Sequence, residues 1–352
     1  MLCAALPLAT LFAASTLAAS ASSASSSPLA TPNSDATTEK CHGISGPFLA
    51  PTFPDPSLVH VDNTWYSFGT FNGKDFQGAK STKFESGWSK LDGPILAIDE
   101  AEWAGHKQNG AYGLWAPDVF QRTSDKKFVM YFAALDNKTI GTDSVKHCIG
   151  AAISDDIGGV YHPVNDFVQC NRTAHGVIDP AWFKDDDNKQ YVVYKTEIPD
   201  NWLEIREVRN SGPKEGVEWV GNAQKLLRVN SQGFSDANNI EAPYIFKRGD
   251  TYFLTYSTHS TDKAWYDVQY ATAKSVTGPY KRVKEPLLQT TDAFGCKISG
   301  PGGASFLREA EGDKDTIKVI FHGLTKAMNI NKRVVYTATV KIDGDKLSID
   351  SK

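Results

Sequence analysis

The sequence lacks an excess of charge of either sign. Its 352 residues include 37 lysines and arginines against 41 aspartates and glutamates, which gives a formal net charge of −4. Proteins that bind nucleic acids or anionic membrane surfaces usually carry a basic patch or a block of like charges, and the chain has neither. We therefore expect no nucleic-acid partner and no membrane partner, and we expect a monomer.

Long hydrophobic runs are also missing. The mostly apolar stretch Leu8–Ala14 is much shorter than the roughly 18 residues that a membrane-spanning helix needs. Small residues follow it, as in a secretory signal peptide, although no lysine or arginine precedes it. We predict a signal peptide at 1–20, a disordered Ser/Ala/Thr-rich spacer at 21–42 and a secreted, extracellular protein. A flexible cytosolic tail is the alternative.

Cysteine is scarce, and one of the five cysteines lies in the predicted signal peptide. The other four are an even number in a compartment that we expect to be oxidising. Cys148 and Cys170 flank a predicted strand, turn and returning strand, which would bring them within bridging distance, so we predict a disulfide between them. Cys41 and Cys296 are either a second disulfide or two free buried thiols.

Two short sequences fit the pattern for N-glycosylation. They are Asn137-Lys138-Thr139 and Asn171-Arg172-Thr173, and both lie in predicted loops. We predict that Asn137 and Asn171 carry glycans in the exported protein.

The most informative feature present is a repeat of about 62 residues. A proline recurs at Pro56, Pro117, Pro180 and Pro243. An acidic residue stands one or two positions before three of these prolines, and Trp115-Ala116 stands before the other. After each proline an apolar run, a polar turn and an aromatic-rich run follow in the same order, which is typical of a β-hairpin.

A fifth copy without the proline begins at Gly303, and a third run rich in small residues follows the hairpin in most copies. Each copy is long enough for a four-stranded antiparallel sheet, and radial repetition of such sheets gives a β-propeller. We therefore predict an all-β fold: a five-bladed β-propeller with four-stranded antiparallel blades around a central axis. Residues 43–352 would form it as a single domain.

Asp55, Asp179 and Glu241 are predicted to meet at one face of this propeller. The innermost strand of each blade runs along the axis, so residues at equivalent strand starts converge. Carboxylates held close together push their pKa values apart, which provides the proton donor and the ionised base that glycoside hydrolysis needs. One Asp-Pro alone can simply begin a turn, but three acids at equivalent blade starts favour a site.

Two other groups of acidic residues have structural interpretations. Asp118 follows its proline in a shifted register, so we interpret it as a structural hydrogen-bonding group, with a substrate contact as the alternative. Asp185–Asp187 lie in a hairpin turn without the ligand spacing of a calcium loop, so we interpret them as a solvated turn.

The blade-start motifs resemble those of glycoside hydrolase family 43, a family of five-bladed propeller enzymes that act on arabinan and xylan. The motifs are Phe53-Pro54-Asp55-Pro56-Ser57-Leu58, Trp115-Ala116-Pro117-Asp118, Val177-Ile178-Asp179-Pro180 and Ile240-Glu241-Ala242-Pro243. The resemblance extends from about Gly46 to the C-terminus. It implies Asp55 as general base, Glu241 as general acid, Asp179 as the group that tunes and orients the acid, and Trp115 as a wall of the sugar pocket.

The resemblance further implies a hydrolase that cleaves α-L-arabinofuranosyl linkages in arabinan or related plant cell-wall polysaccharides and oligosaccharides, with inversion of configuration. Endo-arabinanase and β-xylosidase activities are neighbouring specificities. A non-catalytic glycan-binding propeller is the alternative from another class, although binding alone does not need three converging carboxylates.

His322 and Arg333 are further candidates for substrate binding. The resemblance implies a histidine such as His322 beside an axial calcium ion or water cluster, and a histidine of the core is the alternative. We expect no required cofactor, with a structural Ca²⁺ on the axis as an option. Arg333 is either a substrate contact or a surface arginine.

The fifth blade start departs from the family pattern, because Gly303 stands where many members have a histidine. The floor of the pocket is therefore expected to differ. Three tryptophans in predicted loops either stack on sugar rings or hold their loops in place: Trp103, Trp202 and Trp265.

Overall fold

The structure is a computed structural model, and it describes residues 41–71, 73–210, 216–311, 314–325 and 329–351. The predicted signal peptide and nearly all of the predicted spacer lie outside the described residues. Within these ranges, no helix is both long and apolar enough to cross a membrane.

Five antiparallel sheets follow one another along the chain after an initial strand β1 (Ile44–Phe48). The first contains β2 (Val59–Val61), β3 (Thr64–Gly69), β4 (Gln77–Ser81) and β5 (Ser89–Lys90). The second contains β6 (Trp115–Gln121), β7 (Phe128–Leu135), β8 (His147–Ser154) and β9 (His162–Cys170). The third contains β10 (Val177–Lys184), β11 (Gln190–Thr196), β12 (Trp202–Arg209) and β13 (Glu218–Arg228).

The fourth sheet contains β14 (Ile240–Arg248), β15 (Thr251–Thr258), β16 (Asp267–Ala273) and β17 (Lys281–Arg282). The fifth contains β18 (Gly302–Glu311), β19 (Lys314–Leu324) and β20 (Arg333–Asp343), with β1 and β21 (Lys346–Ile349) also paired to β20. Short 3-10 helices at Ile98–Glu100 and Asn137–Thr139 lie in connecting segments.

Hydrophobic clusters between neighbouring sheets close them into a ring. Consecutive residues of a strand point to opposite faces, so adjacent residues of one second strand pack against different neighbouring sheets. Each junction has its own buried cluster, containing in turn Phe68 with Met130, Tyr131 with Val192, Val193 with Leu254, Phe253 with Val319, and Ile320 with Ala79. The last pair joins the fifth sheet to the first, so the prediction of a five-bladed propeller is confirmed.

The fifth blade differs from the predicted four-stranded pattern. The first half of β20 pairs with β1 through Val335, Thr337 and Ala338, and its second half pairs with β21 from Val340 onward. The blade therefore has five strands, because two chain segments distant in sequence share its outer edge.

The structure contains two disulfides, the predicted one and the one that the sequence left undecided. Cys148 and Cys170 lie opposite each other on β8 and β9 and are bonded, with Cα atoms 4.6 Å apart, as predicted. Cys41 is bonded to Cys296, with Cα atoms 5.0 Å apart. The peptide N–H of His42 also donates to the Phe294 carbonyl at 2.6 Å. Residues 41 and 42 therefore belong to the propeller and not to the predicted spacer.

The two predicted glycosylation positions lie on connecting segments. Asn137 begins a 3-10 helix and is exposed, and its side-chain amide donates to the Glu102 carbonyl. Asn171 follows β9, and its Oδ1 accepts from the peptide N–H groups of Thr173 and Ala174. Glycosylation itself stays a prediction.

Candidate active site

One residue at the start of each blade has a left-handed backbone conformation. The φ angles are 51° at Asp55, 44° at Ala116, 56° at Asp179, 48° at Ala242 and 56° at Gly303. For a non-glycine residue this conformation costs roughly 1–2 kcal/mol. A register shift follows in β6, β10, β14 and β18, and such bulges redirect side chains next to active sites. The strained position is thus a repeated feature of the site.

Hydrogen bonds between blades hold these strained positions. A side chain of the preceding blade accepts the peptide N–H of four of them: His322 Nδ1 from Asp55 (3.1 Å), Thr70 Oγ1 from Ala116 (2.8 Å), Asp179 Oδ2 from Ala242 (2.9 Å) and Ser257 Oγ from Gly303 (3.1 Å). The positions of the functional side chains consequently depend on contacts between blades.

The three acids line one cavity, together with Trp115 and Arg333. Their convergence is the central expectation from the sequence, and the structure brings them together. Only Asp55 and Asp179 are strictly equivalent, however, because Glu241 stands one residue before the left-handed Ala242. Glu241 is equivalent to Trp115, and each is the last paired residue before the register shift of its strand.

Asp55 is held by two residues of the fifth blade. Arg333 Nη1 donates to Asp55 Oδ1 at 3.1 Å and to Thr261 Oγ1 at 3.2 Å. Arg333 is buried, so the alternative of a surface arginine is wrong. His322 is fully buried beneath Asp55 and does not line the cavity itself.

His322 is neutral in this arrangement. Burial, followed by the charge of Arg333, holds the pKa of His322 well below its usual value. Because Nδ1 accepts the peptide N–H of Asp55, the ring proton is on Nε2, which lies 3.4 Å from Thr261 Oγ1. The 3.3 Å separation between Nδ1 and Asp55 Oδ1 is therefore not an ion pair.

Both carboxyl oxygens of Glu241 accept hydrogen bonds. Tyr266 donates its hydroxyl to Oε1 at 2.8 Å, and Lys195 donates from Nζ to Oε2 at 3.1 Å. Burial raises the pKa of Glu241, but Lys195 and the donors Asn239 and Tyr266 outweigh it, so the pKa of Glu241 is below its ordinary value. These contacts therefore favour Glu241 as a carboxylate.

Asp179 has the opposite protonation preference. Burial and then the charge of Glu241 raise its pKa to about 8, against the opposing effect of Lys195. The two environments thus favour the protonated form at Asp179 and the carboxylate form at Glu241. The pKa values of two neighbouring acids are pushed apart, as expected from the sequence, although the acid with the raised pKa is Asp179.

Trp115 forms part of the cavity wall and stacks on His147, with ring centroids 3.9 Å apart. Gly303 occupies the floor. A Cβ atom there would lie 2.6 Å from His322 Cε1 and 2.9 Å from Asp55 Oδ1. Because Gly303 has no side chain, there is room for the contact between His322 and Asp55.

Asp118 and Asp185 make hydrogen bonds to neighbouring blades that the sequence does not indicate. Asp118 Oδ2 accepts the Trp182 peptide N–H at 2.7 Å, which agrees with a structural role, although Asp118 also lines the cavity. Burial raises the pKa of Asp118 to about 7. Asp185 accepts from Lys247 and Tyr252 of the next blade, so the interpretation of a wholly solvated turn is wrong for this residue.

The three tryptophans have different environments. Trp103 packs against Phe132 and thus holds its segment in place. Trp202 is the first residue of β12 and not part of a loop, and Lys225 Nζ lies 4.8 Å from its ring centroid. Trp265 is 59% exposed and directly precedes Tyr266. Trp265 therefore keeps the surface that stacking on a sugar would require.

Three residues that contact the site were not predicted from the sequence. They are Lys195, Tyr266 and Thr261. Lys195 ends the apolar run of β11, and a lysine in such a run is the one signal that could have identified it. Tyr266 and Thr261 lie in the β15–β16 connection, where no periodic pattern points to the cavity.

The described residues around His322 supply few oxygen ligands for a calcium ion. Calcium takes about 6–8 oxygen ligands, whereas one carboxylate, Asp55, contacts His322, and the Arg333 guanidinium lies beside that carboxylate. The axial calcium stays a prediction.

Comparisons with known proteins agree with this geometry. The sequence profile of Glycosyl hydrolases family 43 matches residues 44–346. The extracellular endo-α-(1→5)-L-arabinanase 2 of Bacillus subtilis is 27% identical over 303 residues, which cover 74% of this chain and 58% of that protein. The β-D-galactofuranosidase xynD of Aspergillus niger is 24% identical over 274 residues, which cover 74% of this chain and 72% of that protein. The chain thus spans less than two thirds of the arabinanase.

A solved structure shares the fold. The crystal structure of a thermostable family-43 glycoside hydrolase superimposes with a TM-score of 0.69 and 22% identity, over 85% of this chain and 92% of the other.

Proposed function

The chain belongs to glycosyl hydrolases family 43, and we propose that it is a secreted enzyme that cleaves α-L-arabinofuranosyl linkages in arabinan or related plant cell-wall polysaccharides with inversion of configuration. The observation that carries the proposal is the convergence of Asp55, Asp179 and Glu241 in one cavity. A glycan-binding propeller would need hydrogen-bonding groups and aromatic faces, but not two partly buried acids with pKa values shifted in opposite directions.

Asp55 acts as general base in the proposed mechanism. It accepts a proton from a water molecule on the face of the sugar opposite the leaving group, while that water forms the new bond to the anomeric carbon. Arg333 and His322 fix the carboxylate and the backbone of Asp55, so that one oxygen is oriented for this task.

Glu241 acts as general acid. Its proton passes to the glycosidic oxygen as the bond between that oxygen and the anomeric carbon breaks, and the bonding electrons remain on the oxygen. A sugar that fills the cavity excludes water from Glu241, and this desolvation raises the pKa of Glu241 toward that of Asp179. Asp179 therefore holds, next to Glu241, a proton that Glu241 can receive.

The preference for arabinofuranosides is supported by the arabinanase relative. The galactofuranosidase relative acts on another five-membered sugar ring, and β-xylosidase activity remains the family alternative. Comparing products from linear arabinan, branched arabinan, xylan and a galactofuranoside distinguishes these substrates. Release of monosaccharide alone indicates exo action, and a ladder of oligosaccharides indicates endo action.

We expect the first product released from p-nitrophenyl α-L-arabinofuranoside to be the β-anomer. Proton NMR during the first minutes of hydrolysis measures this before mutarotation mixes the anomers. An α-anomer as first product would exclude Asp55 as a base that activates water. Tight binding of arabinan without hydrolysis of any glycan in the panel would favour the binding propeller.

Secretion and the monomeric state are also part of the proposal. The arabinanase relative is named as extracellular, and the sequence begins with the signal-peptide pattern. N-terminal sequencing of protein from the culture medium identifies the cleavage site, and light scattering coupled to size exclusion measures the mass in solution.

A further inference from the structure

Lys195 is a buried lysine that reaches from the third blade to the fourth. Its side chain is 6% exposed, and Nζ lies 2.9 Å from Asn239 Oδ1, 3.1 Å from Glu241 Oε2 and 4.0 Å from Glu197 Oε1. Burial lowers the pKa of Lys195, but Glu241, Asp179 and Glu197 outweigh this effect, so the ammonium group stays charged. A buried charge of this kind adds little stability over an apolar pair and needs another explanation.

The position of Lys195 recurs in other blades. It lies on the second strand, opposite the residue that precedes the left-handed position, as Ser257 and His322 do in the fourth and fifth blades. Ser257 and His322 each accept the strained N–H of the next blade. The equivalent N–H next to the third blade is that of Ala242 in the fourth blade. Its acceptor is Asp179 of the third blade and not Lys195. Lys195 is therefore not required for this contact between blades.

Lys195 contacts the acid of the next blade instead. Lys195 and Tyr266 hold one oxygen of Glu241 each, so the plane of the carboxyl group is fixed. When Glu241 gives its proton to the departing oxygen, it becomes a carboxylate in a largely buried site. A cation in direct contact stabilises that developing charge.

We propose that Lys195 is a positioning residue for the acid step: its ammonium group orients Glu241 and stabilises the carboxylate that forms as the proton moves from Glu241 to the glycosidic oxygen. The inference rests on the proposed role of Glu241. It adds a group that determines how strong an acid Glu241 is, whereas Asp179 keeps a proton available beside it.

The inference predicts a shift in the pH profile. Among the described residues, the charged or titratable groups around this pair are Asp179, Glu197, Tyr266, Asp55 and His322. The Lys195 cation lowers the pKa of Glu241, so its removal raises that pKa. The alkaline limb of kcat/KM, where the Asp179–Glu241 pair loses its shared proton, then moves to higher pH, by about 1 unit or more for loss of a directly contacting charge.

The test compares the wild type with Lys195→Met and Lys195→Arg on phenyl and p-nitrophenyl α-L-arabinofuranosides. In Lys195→Met we expect the alkaline limb to move upward and kcat on the phenyl substrate to fall at least about tenfold, with a smaller loss on the nitrophenyl substrate. Lys195→Arg keeps the charge and should keep the limb near its wild-type position.

Lys247→Met is a matched control. Lys247 lies on β14, donates to Asp185 across the same two blades at 3.1 Å, and is outside the cavity. The Lys247→Met substitution should lower the stability of the protein without moving the alkaline limb of the pH profile. Tyr266→Phe removes the other donor to Glu241 and should shift the limb in the same direction, which keeps the test decisive if Lys195→Met does not fold.

An unmoved alkaline limb in Lys195→Met, or in Tyr266→Phe where Lys195→Met does not fold, or a shift of equal size in Lys247→Met, would overturn the inference. These outcomes are distinct from failure of the proposed function, in which the wild-type protein would hydrolyse neither aryl glycoside.

Discussion

Glu241→Gln is expected to lower kcat on arabinan by about 10²–10⁴-fold, the usual contribution of a general acid. Gln keeps the size of the side chain and an oxygen that can accept from Tyr266 or Lys195, but it has no proton to give. The loss should be much smaller on p-nitrophenyl α-L-arabinofuranoside, because nitrophenolate departs without protonation. Initial rates on both substrates measure the difference.

Asp187→Asn is a suitable control for Glu241→Gln, since Asp187 is an exposed acid of the β10–β11 turn. It should leave both rates near wild type. If Glu241→Gln slows the two substrates equally, Glu241 does not protonate the leaving group, and the acid assignment fails.

Asp55→Asn is expected to lower kcat by a similar factor of about 10²–10⁴, but equally on arabinan and on the nitrophenyl substrate. Activation of water is needed whatever the leaving group is, so a good leaving group cannot compensate for a missing base. The amide still accepts from Arg333, and the peptide N–H still donates to His322, so the fold is retained. Rates on both substrates, together with the thermal unfolding temperature, measure the effect.

The two variants are most informative together. Glu241→Gln should show a loss that depends on the leaving group, and Asp55→Asn a loss that does not. A strong dependence on the leaving group in Asp55→Asn would contradict the base assignment and would require the roles of the two carboxylates to be exchanged.

The fold could be predicted from the sequence because each blade repeats the same local chemistry. An apolar run, a polar turn and an aromatic run specify a hairpin within each copy, and the roughly constant spacing identifies the copies as equivalent. The fifth strand of the last blade could not be predicted in this way. β1 contains Gly46 and Pro47, and it has no alternation of apolar and polar residues to indicate a strand.

The candidate site was predictable only where its residues belong to the repeat. Asp55, Asp179 and Glu241 stand at or next to the repeated left-handed position. Their spacing along the chain therefore predicted that they converge, as they do in the structure. Lys195 and Tyr266 act through side chains that cross from other strands or connections, and sequence separation carries no information about such contacts. For the same reason the burial of Arg333 beside Asp55 was not apparent from the polar pair Lys332-Arg333.

The order of the blades has a consequence for biosynthesis. Asp55 lies in the first blade along the chain, whereas His322 and Arg333, which hold it, lie in the fifth and are synthesised after all three carboxylates. A growing chain can contain all three carboxylates and still lack a usable catalytic centre. Activity should therefore arise only after the fifth blade has been synthesised and has packed against the first.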